Sequence, residues 1–149
     1  MLSVKKILCP TDFSEASLRG LAAAVDLARL FQAELLVANI IPVVPPSPTD
    51  PNFEFEIPEY EGILHKDAEA KLAELLKTSV PAPIAARAVL GHGHPAKEII
   101  RIAEEEKVEM IVIATHGVTG WHHLVLGSVA EKVLRHAPCP VFAIRELRH

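Results

Sequence analysis

The sequence predicts one α/β domain, an open five-stranded parallel sheet with helices on both faces. Three observations carry that prediction. Five short apolar runs alternate with four segments of helical periodicity, in the order β-α-β-α-β-α-β-α-β. The runs are apolar at successive positions, as in strands buried on both faces of a parallel sheet. The chain has 149 residues, half of them hydrophobic and 23% charged, which suits a single core of its own.

The first run is Val4 to Cys9. Leu18, Leu21, Ala22, Val25 and Ala28 follow at helical spacing, with Ser14 as N-cap. The second run is Leu35 to Ile41. Residues 42–58 then hold Pro42, Pro45, Pro46, Pro48, Pro51 and Pro58, with Phe53 and Phe55 between acids. That composition opposes regular pairing and reads as a proline-rich surface loop, or a segment that covers a site or meets a partner. Leu64, Ala68, Leu72, Leu75 and Leu76 mark the second helix, and Ile84 to Leu90 the third run. Pro95 occupies a first helical position ahead of Ile99, Ile102 and Ala103. Met110 to Ala114 is the fourth run. The last helix carries Ala130, Val133, Leu134 and Ala137, opens on a capping box from Ser128 to Glu131, and stops at Pro138. Val141 to Ile144 is the fifth run. Residues 1–149 read as one unit without internal repeats.

Bulk composition narrows the function classes. A net charge of −4 argues against nucleic-acid binding, which relies on Lys and Arg neutralising phosphates. No apolar run is long enough for a membrane span, and the residues before Cys9 do not form a secretory signal. The expected location is the cytoplasm. Cys9 and Cys139 lie in or beside apolar runs and read as free buried thiols.

Ligands of such sheets bind beyond the carboxyl ends of the strands, where strand order reverses. The ends to inspect follow Cys9, Ile41, Leu90 and Ala114. After the fourth run comes a glycine-rich stretch with Gly117, Gly120 and Gly127, and Ser128 opens the last helix. Glycines let successive amides face an anion, and a helix start adds partial positive charge. The plain alternative is a turn followed by a capped helix. Asp12, at the exit of the first strand, suits a ligand hydroxyl, a phosphate-bound metal, or a role in capping the first helix.

The spacing of these residues resembles the universal stress protein family. Its loop pattern G-x2-G-x9-G-[S/T] aligns on Ala114, Gly117, Gly127 and Ser128. The opening Ile7-Leu8-Cys9-Pro10-Thr11-Asp12-Phe13-Ser14 looks like the family's strand followed by P-T-D-F-S. Gly91-His92-Gly93-His94-Pro95-Ala96, completed by Ile99, is similar to its G-x-P-x-x-x-I segment, and the stretch Gly127 to Val141 is also family-like. The resemblance implies sheet order 3-2-1-4-5, a fold like that of the adenine-nucleotide alpha hydrolases, and a dimer through the last strand, Val141–Ile144. The glycine loop marks the family's ATP-binding branch. Carried over by position, Pro10, Thr11 and Asp12 would line the nucleoside pocket, and Ile40 would face the adenine. Ile113, Ala114, His116 and Gly117 would flank the ribose and phosphates. Gly127, Ser128 and Val129 would give amides, and Ser128 its hydroxyl, to the phosphates. Two positions depart from the pattern: Ala114 replaces the first loop glycine, and Val118 stands where relatives often carry a basic residue.

The resulting expectation is a cytoplasmic, dimeric, nucleotide-dependent stress-response switch. It would bind ATP, ADP or AMP, with or without Mg2+, signal to an unidentified protein partner, and have no catalytic residues. Competing readings are a nucleotide-independent interaction module and a slow ATPase or autophosphorylating protein. A metal protein is another, using some of the eight histidines, among them His92, His94, His116, His122 and His123. A dinucleotide-binding enzyme is the last, because Gly91 to Ala96 fits G-x-G-x-x-A, although at the third crossover.

Overall fold

A computed structural model of the chain describes residues 3–43, 53–116 and 126–145. Nine elements follow one another: β1 (Lys6–Pro10), α1 (Glu15–Phe31), β2 (Glu34–Ile41), α2 (Phe53–Ser79), β3 (Ala86–His92), α3 (Pro95–Glu105), β4 (Met110–Ala114), α4 (Ser128–His136) and β5 (Val141–Ile144). The strands form one parallel sheet in the order β3-β2-β1-β4-β5. Strand order therefore reverses at β1, between β2 and β4. Among the described residues, no helix is long and apolar enough to cross a membrane.

Successive strand residues feed two cores because side chains alternate across a pleated strand. Ile7, Cys9, Leu35, Val37, Met110 and Val112 pack under Leu21, Ala24, Val25 and Ala28 of α1 and Leu72 of α2. Leu8, Leu36, Ala38, Ile111 and Ile113 face the other way, onto Ile99, Ile102 and Ala103 of α3 and Ala130 and Val133 of α4. The unbroken apolar runs follow from this double burial. Truncating a fully buried member such as Leu36 to alanine removes about 2–5 kcal/mol.

Local signals set several boundaries. Ser14 caps α1, its hydroxyl accepting from the Ser17 amide at 3.2 Å. Pro95 is the first residue of α3. Three segments differ from expectation. The proline-rich segment 42–58 is helical from Phe53, and Pro58 lies inside α2. Proline's fixed φ is compatible with a helix, and its missing N–H removes a single intrahelical bond. Residues 44–52 of that segment lie outside the described residues. Strand β3 sits two residues later than the run Ile84–Leu90, because pairing with β2 continues through Ile40↔Gly91 and Ile41↔His92. A ladder needs main-chain partners, and apolar side chains are optional. At α4, Gly127 is the N-cap and makes no side-chain cap, so the expected box at Ser128 does not form. The Glu131 carboxylate instead takes a hydrogen bond from Arg135 at 2.7 Å.

A candidate anion and base site at the sheet switch point

A cleft of about 280 Å³ opens at the carboxyl ends of β1, β2 and β4, where strand order reverses. It gathers residues far apart in sequence. Pro10, Thr11 and Asp12 come from the exit of β1, Ile40 from β2, Ile113, Ala114 and His116 from the exit of β4, and Gly127, Ser128 and Val129 from the start of α4. Every site residue expected from the sequence thus meets at one cleft except Gly117, which lies outside the described residues, as do Val118, His122 and His123.

Part of the cleft wall is apolar. Ile40, Pro95, Ile99 and Ile113 line it, a surface suited to a flat ring. The start of α4 also borders the cleft. The first intrahelical bond there runs from the Glu131 amide to the Gly127 carbonyl at 2.9 Å. The amides of Ser128, Val129 and Ala130 precede that bond, so three donors face out of the helix start. The Gly127 amide, expected to serve the same purpose, is already donated to the Thr115 carbonyl at 2.7 Å. With that amide engaged, the third amide at the helix start belongs to Ala130, a cleft-lining residue the sequence pattern did not single out. Ser128 is the first residue of the helix, which leaves its hydroxyl outside the expected cap.

Gly127 serves through what it lacks. A Cβ at this position would lie 2.9 Å from the Thr115 carbonyl oxygen, too close for any side chain without moving main chain. The absence of a Cβ lets α4 begin against β4. Ala114 needs no such freedom, because it is a strand residue paired with Ile144. It lies against Gly20 of α1, whose own added Cβ would come 3.4 Å from the Ala114 amide.

The polar groups near β1 hold one another. Thr11 is buried; its hydroxyl lies 2.9 Å from the Ser17 hydroxyl and accepts from the Phe13 amide at 3.0 Å. Asn39, which the sequence reading passed over, donates to the Thr11 carbonyl at 2.8 Å and also lines the cleft. Asp12 accepts from the Ser14 amide at 2.9 Å, tightening the turn into α1 while it borders the cleft. Phe13 closes this turn at φ 65°, a conformation costly for a bulky residue. Among the described lining residues Asp12 is the one carboxylate, and no Lys or Arg takes part. An anion would be held mainly by main-chain donors.

The other sequence signals fall elsewhere. His92 meets His65 of α2, with Nε2 and Nδ1 3.1 Å apart, and His94 is the N-cap residue of α3. Among the described residues no three His, Cys, Asp or Glu side chains converge as a metal site would require. The Gly91–Ala96 stretch begins inside β3, the edge strand, where Gly91 and His92 pair with β2, and only its Pro95 reaches the cleft. Cys9 is buried and Cys139 half-buried, and both are free thiols.

The universal stress protein family profile matches residues 3–145. The chain belongs to the universal stress protein family. Within the family it is 33% identical over 144 residues to universal stress protein MJ0531 of Methanocaldococcus jannaschii, covering 95% of this chain and 82% of that one. The solved structure of MJ0577, from the same organism, is 28% identical and superposes with a TM-score of 0.84, covering 99% of both chains. A universal stress protein from Archaeoglobus fulgidus, solved in complex with dAMP, shares the fold at 21% identity and a TM-score of 0.60, covering 97% of this chain and 99% of that one.

Proposed function

We propose that this chain binds an adenine nucleotide (ATP, ADP or AMP) in the switch-point cleft and acts as a nucleotide-dependent regulatory protein rather than an enzyme. The observation that carries the reading is the pairing of an apolar slot with three outward-facing amides at the start of α4. The slot suits a base and the amides suit phosphates. The dAMP complex of the Archaeoglobus relative is consistent with this reading. Asp12 has the hard oxygen chemistry that Mg2+ requires. A Mg2+ ion arriving with ATP would be held chiefly by the phosphates, with Asp12 as the protein's contribution. Asp12 also accepts from the Ser14 amide, which suits a binding role better than that of a mobile base.

The same reading includes a second copy of the chain across β5. Phe142 at 48% exposure and Leu134 at 40% leave an apolar surface at the sheet edge. An edge strand presenting such a surface favours pairing with another chain. Calorimetric titration of nucleotide-stripped protein with ATP, AMP and GTP tests the nucleotide assignment. Saturable ATP binding, near one per chain and tighter than GTP, is the expected result. Heat traces flat for all three nucleotides would replace this reading with that of a nucleotide-independent interaction module.

A further inference from the structure

Thr115 follows β4 directly, is buried, and is tied in three directions. Its amide donates to the Ile144 carbonyl at 3.0 Å, its carbonyl accepts from Gly127, and its hydroxyl lies 2.9 Å from Nδ1 of His116. Among the described residues that ring nitrogen is the hydroxyl's one partner. On the far side of the same ring, His116 Nε2 is buried and has no hydrogen-bond partner among the described residues.

The two neutral tautomers differ in what they leave unmade. With the hydrogen on Nδ1, the hydroxyl accepts. Its own hydrogen and the Nε2 lone pair then both lack partners. With the hydrogen on Nε2, the hydroxyl donates to Nδ1 and only the Nε2–H group is left over. Buried polar groups without partners are costly, so the second arrangement prevails. His116 also stands at the anion end of the cleft, since a Cβ at Gly127 would lie 3.9 Å from the His116 Cα.

We infer that Thr115 is a positioning residue that holds His116 as the Nε2–H tautomer, so that Nε2 donates to a phosphate oxygen of the bound nucleotide. The ligand half of this inference rests on the nucleotide reading, and the tautomer half does not. A phosphate oxygen would give this buried N–H the acceptor it lacks among the described residues, while Nδ1 keeps its contact with Thr115.

The test pairs spectroscopy with calorimetry. Long-range proton–nitrogen spectra of 15N-histidine-labelled protein at mildly alkaline pH report the tautomer, with His116→Gln identifying the His116 signal. Wild type and Thr115→Ser are expected to show Nε2–H, and Thr115→Val a mixed or Nδ1–H ring. For ATP, Thr115→Val should bind about three- to tenfold more weakly and Thr115→Ser within about twofold of wild type. Valine matches threonine in shape, and a thermal melt checks that it folds. An Nδ1–H ring in wild type, or an unchanged ring in Thr115→Val, overturns the positioning role. A changed ring with unchanged ATP affinity overturns the donor role. Wild type that binds no ATP defeats the nucleotide reading, and the spectra still decide the part played by Thr115.

Discussion

Two residues show how single atoms govern this molecule. At Gly127 the missing Cβ brings α4 against the Thr115 carbonyl. Gly127→Ala must move that junction and with it the three helix-start amides. ATP affinity is expected to fall about tenfold or more, with the circular dichroism spectrum of a folded chain retained. Unchanged affinity in folded Gly127→Ala would remove the phosphate assignment. At Cys9 complete burial pushes the thiol up to about 12. The folded chain therefore keeps a proton that the unfolded chain releases near the ordinary thiol value of ~8.5. Stability linked to Cys9 is fully present below that value and is lost as pH rises toward the folded value of about 12. Cys9→Ala should flatten this alkaline loss, read as a smaller fall in urea midpoint between about pH 8 and about pH 11. Equal falls in the two proteins would mean that burial does not hold the proton there.

Among the elements, the strand starts are clamped at the edge opposite the cleft. Arg87 of β3 donates to Glu34 of β2 at 2.8 Å and also pairs with Glu106, the C-cap residue of α3. Arg87 lowers the Glu106 carboxyl below its ordinary value. The contribution is present above the ordinary carboxylate range and lost as pH falls through the depressed value. These side chains are about one-third or more exposed, so Arg87→Met should cost under about 1 kcal/mol at neutral pH, and less in high salt. Thermal melts should separate the variant from wild type near neutrality and converge in acid. ATP affinity should not change, because the clamp lies away from the cleft. Elements were legible wherever one residue type decides a boundary, as Ser14 does for α1 and Pro95 for α3. The start of α2 was hidden because prolines among acids and phenylalanines read as a loop. The cap of α4 was misassigned because Ser128 and Glu131 fit a capping box, while the contact that decides the matter comes from Thr115, twelve residues before Gly127. Asn39 and Thr115 left no pattern at all, since each is tied to a partner that only folding brings near.

For the whole molecule, the alternation of apolar runs was enough to give a parallel α/β sheet, while its strand order came from family likeness. The candidate cleft was legible as a set of strand ends because this architecture sends them all to one edge. The same sheet ends at β5 with Phe142 outward, and the proposed pairing of two copies is tested there. Phe142→Glu should leave the thermal melt within a few degrees of wild type and shift sedimentation from dimer to monomer. A dimer that survives the substitution would move the contact to another surface.

The proposed phosphate end of the cleft is written in main chain, and this changes how it can be dissected. Side-chain scanning passes over a donor that every residue type carries, except one. Proline lacks the N–H, and a helix accepts it at its first position, where Ser128 stands. The preceding Gly127, at φ −57° and ψ 149°, already has the backbone that a following proline demands. Ser128→Pro therefore deletes a single amide hydrogen, together with the serine hydroxyl, and keeps α4. Ser128→Ala deletes the hydroxyl alone. The difference between their ATP affinities, expected at about three- to tenfold, is the contribution of one backbone proton. Identical affinities would show that this amide never reaches the ligand. The chain thus offers what few binding sites do, a hydrogen-bond donor that can be erased genetically without redesigning the helix that bears it.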